Sequence, residues 1–223
     1  MTRDIQAALD RLGTAFPRGT ADKLGTLVDE LEKWNRKVNL TAIRDREEMI
    51  TGHLLDSLIV ARLVEGKTVL DVGTGAGFPG LPLAIVQPER RYTLLDSNRK
   101  KIMFVQHVAG MLGLENVSAE QARAEDYAPG HGFDTVIARA LAALPRLVEM
   151  AGHHVGENGV FVAMKGRYPD EELDDLEVQE LPWTHVVTAL DVPGLEAGSR
   201  HAVLLRPKSP NKAGSNDANH SRS

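Results

Sequence analysis

The run Asp71-Val-Gly-Thr-Gly-Ala-Gly-Phe-Pro-Gly80 places glycines at 73, 75, 77 and 80, directly after an apolar, β-branched stretch. A dinucleotide-binding turn needs its third glycine at position 78, where helix and strand meet beneath a pyrophosphate; Phe78 stands there instead. A phosphate loop needs a Lys followed by Ser or Thr at its end, and this run continues Leu-Pro. What remains is a backbone built for close approach to a ligand without phosphates, or a tight turn with a purely structural purpose. Asp96 ends the next apolar stretch, about twenty residues on, where a carboxylate can accept both hydroxyls of a ribose or simply cap the following helix. A glycine turn with no phosphate grip and a ribose-binding carboxylate together point to an adenosine whose 5′ side carries no phosphate. S-adenosyl-L-methionine is such a molecule.

Other side chains have spacings that suit chemistry. His53 and Asp56 lie three apart on one helical face and can act together, either lining a pocket or joining two parts of the fold as a buried polar pair. Asn39 and Thr41 precede them as a loop or cap. Arg139 closes a β-branched run and would point into the crevice where open α/β sheets bind ligands, or form a surface salt bridge. Lys165 ends the next such run and could reach a phosphate or a base. The adjacent His153 and His154 face different sides of a helix and make poor metal ligands. No metal site is expected.

The elements that must position these residues are set by periodicity. Leu24, Leu27, Val28, Leu31 and Trp34 recur at helical spacing within 20–39, after a shorter helix carrying Ile5, Ala8, Leu9 and Leu12. A third helical pattern runs from about 46 to 64, so residues 1–66 read as a helical region packed on the core of the chain. From Lys67 the rhythm changes. Strand patterns at 68–72, 92–95, 116–119, 133–138 and 160–164 alternate with helical ones near 79–86, 98–112, 144–155 and 169–178. Such alternation argues for a parallel sheet covered on both faces. Two last strands, about 185–190 and 200–206, are joined by a short link without helical pattern, which suggests a hairpin and an antiparallel strand at the end of the sheet. Residues 67–207 thus form an α/β domain, and 208–223, with no core-forming residue, should be disordered.

Composition narrows the function. The 223 residues include no cysteine, which excludes disulfides, thiolate metal sites and cysteine nucleophiles. Hydrophobic residues make up 42% of the chain, enough for a sizeable core. No uninterrupted apolar run is long enough for a membrane span, and the amino terminus lacks a signal-peptide pattern, so a soluble cytoplasmic monomer is expected. The net charge of −5 leaves room only for local basic patches. Candidates are Arg36, Lys37, Arg44 and Arg46 in one group, Arg99, Lys100 and Lys101 in another, and Arg139, Lys165 and Arg167 along the cleft.

The glycine run with Asp96 resembles the cofactor-binding motif of class I S-adenosylmethionine-dependent methyltransferases, a Rossmann-like α/β fold. Five segments in order (Asn39-Leu-Thr-Ala-Ile43, His53-Leu-Leu-Asp-Ser-Leu58, Gly73–Gly80, Ile137-Ala-Arg-Ala140 and Met164-Lys-Gly166) are similar to the RsmG (GidB) family. The resemblance spans roughly residues 20–206. It implies methylation of a guanine N7 in bacterial small-subunit ribosomal RNA, with the RNA or the small ribosomal subunit as partner. It also implies that Gly73, Gly75, Gly77, Phe78 and Asp96 line the cofactor pocket, and that Ala124 and Glu125 sit beside the adenine. Arg139 would lie near the methionine part or the target base, with His53, Asp56 and Lys165 as further catalytic candidates. Motifs that are missing agree with this. The fourth strand ends Ile-Ala-Arg-Ala rather than in the Asn/Asp-Pro-Pro-aromatic sequence used on exocyclic amines, and pyrimidine carbon-5 requires a cysteine. Guanine N7 has an in-plane lone pair and no proton to lose, so positioning can supply most of its catalysis. The competing readings are a methyltransferase of the same fold acting on a small molecule or protein, and a non-catalytic module that binds adenosine or RNA.

Overall fold

The computed structural model describes residues 2–195 and 199–208. The expectation for the carboxyl-terminal tail lies outside the described residues, apart from Lys208.

Three helical stretches precede the sheet. Helix α1 (Thr2–Asp10) packs on α2 (Thr20–Asn35). In α2 the side chains of Leu24, Leu27, Val28 and Leu31, at helical spacing, are all fully buried. The pattern expected over 46–64 is one interrupted helix: α3 (Arg46–Met49), a π-helical turn (Ile50–Leu55), α4 (Asp56–Leu58) and a 3₁₀ turn (Ala61–Leu63). Asp45 starts it by accepting from the Glu48 N–H.

Strands and helices then alternate: β1 (Thr68–Val72), α5 (Gly80–Val86), β2 (Arg91–Asp96), α6 (Arg99–Met111), β3 (Val117–Gln121), β4 (Phe133–Arg139), α7 (Leu144–Ala151), β5 (Val155–Lys165), α8 (Asp170–Val178), β6 (Trp183–Leu190) and β7 (Arg200–Pro207). The seven strands run β3-β2-β1-β4-β5-β7-β6 across one sheet, parallel except for β7, which pairs antiparallel with both neighbours. The hairpin is present, but its antiparallel member is not the sheet's end. β7 inserts between β5 and β6 and leaves β6 at the edge. Apolar residues on both of its faces explain the insertion: Ala202 on one side and Val203 and Leu205 on the other are fully buried, whereas Val186 on β6 is exposed.

Residues alternate between two cores. Val69, Ile137 and Val162 join α1, α2, α5 and α6 on one face, and Leu70, Val136 and Phe161 join α7 and α8 on the other. The helices before the sheet therefore share a core with it. Trp34 of α2 meets Phe104 of α6 edge-on at 5.6 Å, and His107 of α6 bonds Glu30 of α2 at 2.8 Å. Among the described residues no helix is long and apolar enough to cross a membrane.

Candidate active site in the crevice at the carboxyl ends of the strands

Strand order reverses between β1 and β4, and β1, β2, β3, β4 and β5 all point their carboxyl ends to one edge of the sheet. Open α/β sheets bind ligands at such a switch point. A cavity of ≈ 920 Å³ opens there, walled by the glycine turn, Asp96, Ala124, Glu125, Arg139, Lys165 and, from the helical region, Thr41, His53 and Asp56. Its size falls within the ~300–1,000 Å³ range of small-molecule sites.

The glycine turn is held by its neighbours. The N–H groups of Gly73 and Thr74 bond the Leu95 carbonyl at 2.8 and 3.0 Å, and that of Gly75 bonds the Asp96 carboxylate at 2.9 Å. Below it, Asp71 is fully buried; one carboxylate oxygen accepts from the Thr74 hydroxyl at 2.6 Å and the Gly80 N–H at 2.8 Å, and the other has no partner among the described residues. Burial lifts its pKa to about 6, with those two bonds acting against the rise.

The glycines serve different ends. Gly75, at φ +61°, has room for a Cβ, which would meet only the Gly73 carbonyl and the Lys101 ammonium, each at 3.9 Å. A Cβ on Gly77 would come within 2.4 Å of the Leu81 side chain of α5. Gly77 is off the cavity wall and takes the helix-packing part that position 78 plays in dinucleotide folds, which corrects its expected place among ligand-facing residues. Phe78 is then free to turn its ring to the cavity, against His53. Pro79 sits one residue before α5 rather than in its first turn.

Asp96 lies at the end of β2 with its second oxygen accepting from the Asn98 N–H at 2.8 Å and the Lys101 ammonium 3.8 Å away. Each carboxylate oxygen retains acceptor capacity for a ligand hydroxyl. Ala124 is buried, and its carbonyl bonds His154 at 2.8 Å, so His154 fixes the loop after β3. Glu125 is exposed and bridges to Arg146 at 2.8 Å. The open cradle at Gly75, the uncommitted lone pairs of Asp96 and the buried Ala124 loop form one continuous wall, and they fit an adenosine.

Opposite stands a connected polar cluster. Arg139 donates to the Gly52 carbonyl at 3.0 Å, to Asp56 at 3.1 Å and to His53 Nδ1 at 3.3 Å. The other Asp56 oxygen accepts from Arg200 at 3.0 Å. His53 stacks on Phe78 with centroids 4.7 Å apart, and the Arg139 guanidinium lies 5.7 Å from the centre of that ring. The π-helical turn brings the Gly52 carbonyl and both side chains to the same place; such turns frequently occur at functional sites. His53 Nε2 contacts the Thr41 hydroxyl at 2.9 Å. Because a guanidinium only donates, Nδ1 is the acceptor and the ring proton sits on Nε2, facing Thr41.

Two members of this network escape sequence reasoning. Asn35, buried at the end of α2, accepts from the N–H groups of Leu40 and Thr41 and donates to the carbonyls of Thr41 and Ile43, shaping the loop that presents Thr41. Arg200 is far from Asp56 in the chain, and its only signal was its place at the start of a strand. Other expectations are redirected. Lys165 lines the cavity, but its ammonium is held by Glu172 at 2.6 Å and the Ala142 carbonyl at 2.8 Å, so it is not a free cation. Arg46 is not available to RNA either, since it bridges Asp4, Asp29 and Glu32 and locks α1 and α2 to α3.

Burial and the adjacent Arg139 charge push the His53 pKa from 6.5 down to about 4. Between those values the unfolded chain binds a proton that the native ring refuses, so stability falls as pH drops through this window. Asp71 works the other way: its native carboxyl holds a proton up to about 6, against 3.8 unfolded, and gains stability as pH falls. The two nearly offset in the wild type. His53→Gln keeps a donor for Thr41 and removes one of the two opposing contributions, so its stability relative to wild type should rise by about 3 kcal/mol between neutral pH and about pH 4. Urea unfolding of both proteins across that range checks this; a constant difference would show that His53 titrates normally.

Comparison with known proteins agrees with this geometry. The GidB family, described as rRNA small subunit methyltransferase G, matches residues 20–203. A protein of Alkalilimnicola ehrlichii named ribosomal RNA small subunit methyltransferase G is 48% identical over 215 residues, 96% of each chain. One of the same name from Legionella pneumophila is 43% identical over 205 residues, 90% of this chain and 94% of the other. Among solved structures, a SAM-dependent methyltransferase from Aquifex aeolicus superposes with TM-score 0.55 at 18% identity, covering 81% of this chain and 97% of the other. The fold is that of the class I S-adenosylmethionine-dependent methyltransferases, and the chain belongs to the GidB family.

Proposed function

We propose that this protein transfers a methyl group from S-adenosyl-L-methionine to N7 of a guanine in bacterial small-subunit ribosomal RNA. The observation that carries the reading is the likeness, over 96% of the chain, to a protein named for that RNA. The site chemistry accords with N7 as acceptor. His53 is neutral near pH 7, its basic nitrogen already faces Arg139, and N7 has no proton for a base to remove.

S-adenosylmethionine, when bound, supplies an activated methyl group on its sulfonium. Asp96 would accept from the ribose hydroxyls, the Gly73–Gly75 backbone would give close approach, and the Ala124–Glu125 loop would border the adenine. Gly77 supports the turn from beneath. Arg139, held by Asp56, Gly52 and His53, would lie toward the methionine part and the incoming base. Its fixed charge orients both and offsets no proton transfer; oriented encounter alone is worth ~7–11 kcal/mol. The helical region 1–66 supplies one wall of the acceptor side and works as part of the 67–207 domain rather than as a separate module. Lys165, through Glu172 and the Ala142 carbonyl, positions the loop after β4.

The exposed Arg36, Lys37, Arg44, Arg99, Lys100 and Arg167 provide phosphate contacts around the cleft. The exposed large apolar side chains come from α6, α8, β6 and the cleft rim, which suits a monomer. An RNA substrate of this kind puts the protein in the cytoplasm. Mass mapping of small-subunit ribosomal RNA from cells with and without the protein tests the reading. One guanine should lose a methyl group; an unchanged map would refute it.

Two variants test the cofactor wall. Asp96→Ala removes a charged acceptor, worth about 1.5–3 kcal/mol, so calorimetry should give roughly ten- to a hundredfold weaker S-adenosylmethionine binding; unchanged affinity would remove Asp96 from the site. Gly75→Val adds a side chain in the open cradle at positive φ. Binding should fall by more than tenfold, with a stability loss of about 1–2 kcal/mol from the backbone strain; normal binding would mean the cradle faces no ligand.

A further inference from the structure

On the β4, β5 and β7 side of the cleft nearly every charged or imidazole group is committed within the protein: Arg139 and Arg200 to Asp56, His53 to Thr41 and Arg139, Lys165 to Glu172. Among the described residues that line the cavity there, His201 is the exception; Arg167, outside that lining, is exposed to solvent. His201 lines the cavity, is 9% exposed, and neither ring nitrogen has a hydrogen-bond partner among the described residues; Nδ1 in particular is dry and unpaired. A buried unpaired imidazole is costly and calls for an explanation.

The register places it where an acceptor must lie. His201 pairs with Lys165 at the carboxyl end of β5, two strands beyond β1. Adenosine-binding groups occupy the β1, β2 and β3 ends, so the methyl acceptor comes from the other side, toward β4, β5 and β7. Tyr168, 46% exposed and two residues beyond the cavity-lining Gly166, meets His201 nearly perpendicular, at 84° and 5.3 Å. Its free ring surface can carry a stacked base.

In the neutral ring a dry lone pair costs less than a dry N–H. The proton therefore sits on Nε2, and His201 offers the cleft a single donor. Guanine presents O6, an acceptor, next to N7; adenine presents an amino donor in that place. We propose that His201 reads the acceptor base by donating from Nε2 to the oxygen beside the methylated nitrogen, with Tyr168 as the stacking surface. This rests on the guanine-N7 reading above and assigns its base specificity to a residue outside the Arg139–Asp56–His53 cluster.

The test uses small-subunit ribosomal RNA carrying either guanine or 2-aminopurine at the target position; 2-aminopurine keeps N7 and lacks O6. Single-turnover rates are measured for wild type, His201→Asn and His201→Gln, with S-adenosylmethionine affinity and thermal midpoint as controls. Both replacements fit the buried position, but only Gln carries an amide to the place of Nε2. The intrinsic difference in nucleophilicity between the bases cancels when wild-type and variant preferences are compared. Wild type should prefer guanine by a factor about ten- to a hundredfold larger than His201→Asn does. His201→Gln should restore most of that preference, and cofactor affinity should not change. Equal preferences in wild type and His201→Asn, or equal behaviour of Asn and Gln, would overturn the role of His201 while leaving the guanine reading intact. Failure of wild type to methylate the guanine substrate would instead overturn that reading.

Discussion

Arg139→Ala should lower the single-turnover methyl-transfer rate by about a hundredfold, the loss expected when reacting groups are misplaced by about an ångström. Arg139 makes three contacts in fixed directions, to the Gly52 carbonyl, Asp56 and His53 Nδ1, and lies over the Phe78 ring. Removing the guanidinium frees the π-helical turn and the β4 end from each other on the face where the acceptor docks. A lysine cannot make three divergent bonds from a planar fork, so Arg139→Lys should recover little of the rate. Stability should suffer less, because Asp56 keeps its bond to Arg200 at 3.0 Å. Rates of Arg139→Ala within threefold of wild type on saturating RNA and cofactor would show that the cluster does not set the reacting geometry.

Asp56→Ala should combine a similar loss of rate with a much larger loss of stability. This carboxylate is 4% exposed and takes a separate arginine on each oxygen, one from β4 and one from β7. Its loss leaves two guanidiniums facing each other on a partly buried wall. Breaking a buried pair by removing one partner costs about 3–5 kcal/mol; for a domain of this size that lowers the melting temperature by roughly 10 °C. Asp56→Ala should also lose activity to nearly the extent of Arg139→Ala, and the double variant little more, because both changes undo one positioning unit. Additive rate losses would mean that the two residues act separately. A melting temperature unchanged by Asp56→Ala would mean that the arginines find water instead.

Much of this was legible in the sequence. Helical spacing exposed α2 through Leu24, Leu27, Val28 and Leu31, and the β-branched runs marked the strands to within two residues except β5, which begins at Val155, five residues before its expected start. Gly73, Gly75, Phe78, Asp96, Ala124 and Arg139 do line one cavity. Their positions obey local rules: a ligand turn comes at a strand's carboxyl end, and the next strand ends on a carboxylate. What stayed hidden depends on contacts between distant segments. The unbroken apolar run Ala202–Leu205 says that β7 is buried on both faces but not that it inserts between β5 and β6. Nothing near Arg200 announces its bond to Asp56, and nothing near Asn35 announces its four bonds to the loop after it. The π-helical turn at Ile50–Leu55 interrupts a pattern that reads as ordinary helix. Arg46 looked like a surface charge because its three carboxylate partners lie on α1 and α2.

On the proposed reading the methyl group goes to a nitrogen with no proton, in a site that holds the reactants in place and removes no proton. Single-turnover transfer to small-subunit ribosomal RNA, followed across pH with guanine or 7-deazaguanine at the target position, tests it most directly. Transfer to guanine should show no titration limb near neutrality assignable to His53, His53→Gln should keep substantial activity, and 7-deazaguanine should receive no methyl group. Methylation of the 7-deaza substrate, or a rate that rises about tenfold per pH unit and disappears in His53→Gln, would contradict that reading.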